Sequence, residues 1–283
     1  MLRRFQLIDV FGERPFSGNP LAVVVDADGL TTEEMQGFAR WMNLSETAFL
    51  LPPTSPGADY RVRIFTLARE LPFAGHPTLG SCHAWLTAGG EPGRAGRIVQ
   101  ECGAGLVPIR RDDSGLAFAA PPLLRSGPVE EAFVDELALI LRIDRDRIVD
   151  THWVDNGPGW VGVLLEDAVT VLSLEPDFTR FTGEGSLDLG LVGPYPDGSE
   201  FAFEVRALFS DELGGMREDP VTGSLNASLA QWLLATGRAT APYVTSQGTR
   251  LGRRGRPRID QDPDGTVWVG GDTVSYIDGQ IEL

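Results

Sequence analysis

The sequence predicts an α+β protein built from two pseudo-symmetric halves, each a curled, barrel-like β-sheet around one central α-helix. Three observations predict it. Short apolar, β-branched runs bounded by Gly, Pro and Asn recur along the chain, the pattern of strands joined by turns. Two distant segments share one plan: Glu70, Pro72, Gly75, Leu86 and Gly89 map at a constant interval onto Glu218, Pro220, Gly223, Leu234 and Gly237. The helix that follows each Glu-x-Pro-x-x-Gly is apolar nearly all round, the composition of a helix enclosed by sheet.

In chain order, "FQLIDVF" and "LAVVVDA" read as strands separated by the turn "ERPFSGNP". "TTEEMQGFARWMN" has the Thr31-to-Glu34 spacing of a capping box and apolar residues at Met35, Phe38 and Trp41/Met42, so an amphipathic helix lies there. "SETAFLLPP" and "YRVRIFT" return to strand ahead of the first central helix. Beyond Gly90, "RIVQECGAGLVPIRR" and "GLAFAAPP" are strand-like. The Pro-rich "APPLLRSGPVE" is the best boundary, giving domains of residues 1–122 and 123–283, with the last strand free to return to the first half. "EEAFVDELALILRI" is helical by period, and strands follow around "DTHWVDNGPGWVGVLLE" and "EFAFEVRALF". "VRIFT" (Val62 to Thr66) and "VRALF" (Val205 to Phe209) supply a strand before each central helix.

Composition narrows the chemistry. A formal net charge of −16 makes nucleic acid and membrane surfaces poor partners, and an anionic substrate needs local help. The arginine-rich "SQGTRLGRRGRPRID" lacks interleaved aromatics, so it reads as a solvated hairpin or a subunit contact. No apolar run reaches the roughly 18 residues of a spanning helix, and the N-terminal stretch meets an acidic residue too soon for a signal peptide, so a cytoplasmic protein is expected. All 24 basic residues are arginine; with no lysine, neither a pyridoxal Schiff base nor a Walker loop can be built. Cys82 and Cys102 have no metal or redox spacing and read as reduced, buried thiols. His76 and His83 lie seven residues apart, about 10 Å along a helix, too far for one ion, so no metal is expected.

Helices beginning at His76 and Ser224 each present unpaired N–H groups and a positive dipole end, and Gly75 and Gly223 let a ligand approach the backbone. If the two halves face each other, those ends meet in a cleft suited to a small carboxylate. Alternatively, both glycines serve only turns. Asp219 stands where the first half has Leu71, an asymmetry a reaction can use; as a bare cap it would need no such role. In "SETAFLL" a two-residue period groups Glu46 with Ala48 and Leu50, a setting that desolvates a carboxyl and raises its pKa toward general acid/base use. Exposure or pairing with an arginine is the competing reading of Glu46. His76 at a helix start is expected neutral, as donor or proton relay.

The segments "DVFGERPFSGNPLAVV", "NLSETAFL", "FTLARELPFAGHPTLG", "EDPVTGSLNASLAQWL" and "QGTRLGRRGR", in that order and over nearly the whole chain, resemble the PhzF family of phenazine-biosynthesis-like isomerases. The resemblance implies the diaminopimelate-epimerase-like fold, a homodimer, and an isomerase that uses no cofactor. It also implies that Glu46 moves a proton within a substrate ring, that His76 and Asp219 assist, and that Gly75, His76, Gly223 and Ser224 lie near the substrate carboxylate. Departures are Phe65-Thr66-Leu67, where many members have Phe-Thr-Pro, and "TGSLNAS", which places Leu225 and Asn226 near the expected pocket and bears on the substrate. Epimerases of this fold carry cysteines at the helix starts, which are absent here. The remaining alternatives are an epimerase or racemase of an amino-acid-like substrate and a non-catalytic binder of small acids.

Overall fold

The computed structural model describes residues 1–183, 185–210 and 215–283. The chain begins with β1 (Leu2–Val10), β2 (Asn19–Val24), α1 (Thr32–Met42), β3 (Thr47–Leu51), β4 (Tyr60–Phe65), β5 (Glu70–Leu71) and α2 (Gly75–Thr87). The hairpins β6 (Arg97–Cys102), β7 (Gly105–Asp112) and β8 (Gly115–Ala119) follow, then β9 (Arg125–Pro128), α3 (Glu131–Leu141), β10 (Ile148–Asp155) and β11 (Val161–Leu165). After α4 (Ala168–Ser173) come β12 (Asp188–Pro194), β13 (Phe203–Ser210), β14 (Met216–Asp219), α5 (Gly223–Ala235), β15 (Tyr243–Gln247) and β16 (Arg258–Gln261). The last strands are β17 (Val267–Gly271) and β18 (Thr273–Glu282).

Two compact units result, one of Met1–Ala119 with Trp268–Leu283, the other of Ala120–Val267. In the first, β1 pairs antiparallel with β2, β2 parallel with β3, β3 and then β5 antiparallel with β4, β4 parallel with β6, and β6 antiparallel with β7. In the second, β10–β11, β11–β12, β12–β13, β13–β14, β13–β15 and β15–β16 run through the same series: antiparallel, parallel, antiparallel, antiparallel, parallel, antiparallel. The internal repeat of the sequence is therefore a repeat of strand pairing. β8 continues the first sheet from β7 and pairs in turn with β17, β18 extends it through β1, and β9 extends the second through β10.

Both sheets are buried on two faces, because each curls around a central helix and carries outer helices on its back. α2 touches β1, β2, β3, β4, β6, β8 and β18. At Gly80 on this helix a Cβ would lie 2.5 Å from Leu21 Cδ2, so glycine lets α2 press directly on β2. In the second unit Leu225, Leu229, Trp232 and Leu233 of α5 pack on Val154, Leu164, Val192, Phe203, Val205 and Ala207 of the strands. The opposite faces are covered by α1, through Met35, Phe38 and Ala39, and by α3 and α4, through Val134, Leu137, Leu141 and Val171.

The capping box forms as the spacing implies: Thr31 Oγ1 accepts from Glu34 N, and Glu34 Oε2 accepts from Thr31 N at 2.8 Å. Trp41 differs from the sequence reading; it is 79% exposed and stacks on Phe38, because the buried stripe of α1 runs through Ala39 instead. Both central helices begin one residue earlier than expected, at Gly75 and Gly223. Among the described residues no helix is long and apolar enough to cross a membrane.

Candidate active site

In the first unit the site is built from the turn between β1 and β2. Asp9, at the end of β1, accepts hydrogen bonds from the backbone N–H groups of Ser17 and Gly18 at 3.1 and 3.0 Å. A Cβ at Gly18 would fall 2.1 Å from the Val10 carbonyl oxygen, so only glycine lets the turn close this tightly on β1. The closed turn delivers Asn19, fully buried, to the start of α2. There its side-chain amide hydrogen-bonds His76 Nδ1 at 3.3 Å.

That contact holds one edge of the imidazole. Nδ1 faces the Asn19 amide, and Nε2 stands 3.6 Å from Glu46 Oε2. Burial pushes the His76 pKa down to about 3, so the ring is neutral near pH 7 and the contact is not an ion pair. Glu46 is reached from the other side. Asn43 ends α1 in the left-handed conformation, and Glu46 occupies the last position before β3, its side chain 16% exposed. The alternation argument locates it poorly, since Thr47, Ala48, Phe49 and Leu50 are all buried and β3 has no solvent face.

α2 begins at Ala74, an extended N-cap without a side-chain hydrogen bond, and its third residue, Pro77, has no N–H. α5 begins at Thr222 in the same way. Among the described α-helices, only these two lack both a side-chain cap and an acidic residue in the first turn; α1 and α4 are capped by Thr31 and Asp167, and α3 carries Glu131. Their first N–H groups and dipoles are therefore not neutralised by these usual means.

In the second unit Asp219 closes β14, and the N-cap position belongs to Thr222. Thr222 Oγ1 donates to Asp219 Oδ2 at 2.6 Å, and Gln247 Nε2 donates to Thr222 Oγ1 at 2.9 Å. Gly223 and Ser224 are the first two residues of α5, and the Ser224 carbonyl accepts from Asn156 Nδ2 at 2.8 Å. Leu225 is fully buried in the α5 core, and Asn226 bonds to Thr222, Gln247 and Thr245; both side chains are occupied by the protein's own groups.

The structure thus brings Glu46 and His76 together at α2, whose first residue is Gly75, and gathers Asp219, Gly223 and Ser224 at the start of α5. Asn19, Thr222 and Gln247 were missed by sequence reasoning, the first read only as a turn residue and the last only within an arginine-rich segment. His83 anchors β18: its ring nitrogens meet Thr273 Oγ1 and Ser275 Oγ at 2.9 and 3.0 Å. Cys82 is buried mid-helix with its thiol pushed up to about 12, a state that disfavours a nucleophilic or basic thiolate. Among the described residues no cluster of three or more His, Cys, Asp or Glu could hold a metal ion.

Comparison with known proteins is decisive for the family. Residues 8–279 match the PhzC-PhzF family, described as phenazine biosynthesis-like protein. The chain belongs to the PhzF family. Trans-2,3-dihydro-3-hydroxyanthranilate isomerase of Pseudomonas aeruginosa is 32% identical over 291 residues, covering 100% of both chains. Antisense-enhancing sequence 1 of Schizosaccharomyces pombe is 34% identical over 290 residues, covering 98% of this chain and 97% of that one. The crystal structure of a PhzF-family protein from Enterococcus faecalis has the same fold, with a TM-score of 0.79 at 24% identity and 100% of both chains covered. The protein is accordingly a PhzF-family isomerase.

Proposed function

We propose that this PhzF-family protein moves a proton between two carbons of a small cyclic or amino-acid-like carboxylate, with Glu46 as the group that takes and returns it. The observation that carries the reading is the buried, neutral His76, whose Nε2 stands 3.6 Å from Glu46 Oε2. A neutral imidazole at this place leaves the carboxylate without the opposite charge that an imidazolium would bring, the setting a proton-accepting carboxylate needs.

The chemistry needs no external redox partner. Glu46 as carboxylate removes a proton from an acidic C–H, and the electron pair spreads into the substrate's unsaturated system. The Glu46 carboxylic acid then returns a proton at a second carbon, so one C–H bond breaks, another forms, and a double bond shifts. The start of α2, with Gly75 and His76, and the start of α5, with Gly223 and Ser224, each offer N–H donors suited to an anionic group. Asp219 is a second proton-carrying group, assigned to the α5 start. The absence of lysine speaks against Schiff-base chemistry, and the state of Cys82 speaks against two-thiol epimerisation.

Trans-2,3-dihydro-3-hydroxyanthranilate is the first substrate to test, followed by absorbance. The Glu46→Gln variant should lose about 10²- to 10⁴-fold in turnover and keep its affinity for a non-reacting carboxylate such as anthranilate. Turnover at the wild-type rate in Glu46→Gln would remove Glu46 from the mechanism. Anthranilate binding without turnover of any acidic C–H carboxylate would instead favour a binding protein.

A further inference from the structure

We propose that Thr222 and Gln247 are positioning residues that aim the Asp219 carboxylate. The inference rests on the reading of Asp219 as a proton-carrying group. A chain of hydrogen bonds leads to that carboxylate, with the Gln247 amide fixed at both ends by backbone groups.

Gln247 Oε1 accepts from Thr222 N at 3.0 Å and from Asn226 Nδ2 at 2.8 Å, so the amide orientation is settled by two donors. Gln247 Nε2 therefore donates, to Thr222 Oγ1 at 2.9 Å and to the Asp219 carbonyl at 3.2 Å. With Thr222 Oγ1 accepting from Gln247, its own hydrogen goes to Asp219 Oδ2 at 2.6 Å. Oδ2 of the Asp219 carboxylate is thereby an acceptor, held from Thr222. Asn226 is itself fixed, its Oδ1 accepting from Thr245 Oγ1 at 2.6 Å. The backbone is shaped to bring Gln247 to this place: Gly248 has φ +87°, and a Cβ there would lie 2.4 Å from the Pro220 carbonyl oxygen.

The first unit shows that the helix start does not require this network. Leu71 and Ala74 occupy the places of Asp219 and Thr222. Tyr60 pairs with Gln100 as Phe203 pairs with Thr245, so two residues further on Cys102 stands where Gln247 does. α2 nevertheless begins from the same kind of extended N-cap and runs for the same 13 residues as α5. One link is common to both, Gln100 Nε2 donating to Thr78 Oγ1 in the first unit and Thr245 Oγ1 to Asn226 Oδ1 in the second. What the second unit adds is the set of buried groups that ends on Asp219, with Gln247 at 0% and Thr222 at 8% exposure. Buried polar groups stabilise only when all are satisfied, so a network that the fold does without is there to hold the carboxylate.

The test is Thr222→Val, with Thr222→Ser as rescue, Gln247→Met as a second break in the chain, and Asp219→Asn alongside. Crystal structures of the variants decide the inference without a substrate. In Thr222→Val and in Gln247→Met the backbone of Thr222–Ala235 should be unchanged and the Asp219 carboxylate rotated; Thr222→Ser should restore it. With trans-2,3-dihydro-3-hydroxyanthranilate, kcat should fall on the order of 10- to 100-fold in Thr222→Val with KM little changed, the scale of a misplacement of about 1 Å. An Asp219 carboxylate that stays in place in both variants overturns the inference. Full activity in Asp219→Asn overturns the underlying reading of Asp219, whatever the carboxylate's position in the other variants.

Discussion

The starts of α2 and α5 are built on one backbone plan and carry different chemistry. Each follows Glu-x-Pro-x-x-Gly, neither N-cap side chain caps its own helix, and each runs into a helix wrapped by sheet. At α2 the functional side chain is on the helix itself, His76, held by Asn19 and facing Glu46. At α5 the corresponding residue is Ser224, and the titratable group is moved back onto the strand as Asp219, supported by Thr222 and Gln247. The difference teaches that the enclosing sheet, and not polar capping, makes the helix start. The polar residues at either start are thus released for function.

The largest effect is expected from erasing the difference. The double variant Asp219→Leu/Thr222→Ala gives the second unit the residues of the first. It should fold, with a far-UV circular dichroism spectrum like the wild type, and lose about 10²- to 10⁴-fold in turnover. A variant that does not fold would show that the network is structural and break the comparison.

A smaller effect is expected from the common link. Gln100→Leu removes the acceptor of the Tyr60 hydroxyl and the donor to Thr78 Oγ1, both buried. Urea titration should show a loss of about 1–3 kcal/mol, with kcat at the wild-type level. A fall in kcat like that of Thr222→Val would erase the distinction between the shared scaffold and the added network.

The smallest is a pH effect at α2. Burial lowers the His76 pKa to about 3, below the unfolded value near 6.5, so between these pH values the unfolded chain binds the extra proton. The stabilisation from keeping this ring neutral is complete above pH 6.5 and is lost as pH falls toward 3. The wild type should therefore lose more stability between pH 7 and 4.5 than His76→Asn, in which this group is gone. Burial also lowers the pKa values of His83 and His152, and these contribute equally to both proteins. Parallel losses in the two proteins would mean that His76 is not held neutral.

Much of this was legible in the sequence because it rests on local pattern. The paired Glu-x-Pro-x-x-Gly segments mark both central helices, the Thr31–Glu34 spacing marks α1, and His76 and Asp219 stand out as titratable groups beside glycine-marked helix starts, whereas the two-residue period places Glu46 poorly because β3 is buried on both faces. What was not legible depends on long-range contacts. Asn19 meets His76 across 57 residues, and Gln247 meets Thr222 across 25, distances over which no periodicity carries information. α4, with six residues, is too short to show a helical period, and the exposure of Trp41 follows from which face of α1 the sheet covers.

The most direct measurement is deuterium incorporation during turnover in D₂O, followed by NMR for the wild type and Glu46→Gln with trans-2,3-dihydro-3-hydroxyanthranilate. Glu46 as the proton carrier predicts deuterium at the single carbon that is reprotonated in the wild type, with turnover and exchange both lost in the variant. Exchange in Glu46→Gln at the wild-type rate would contradict it.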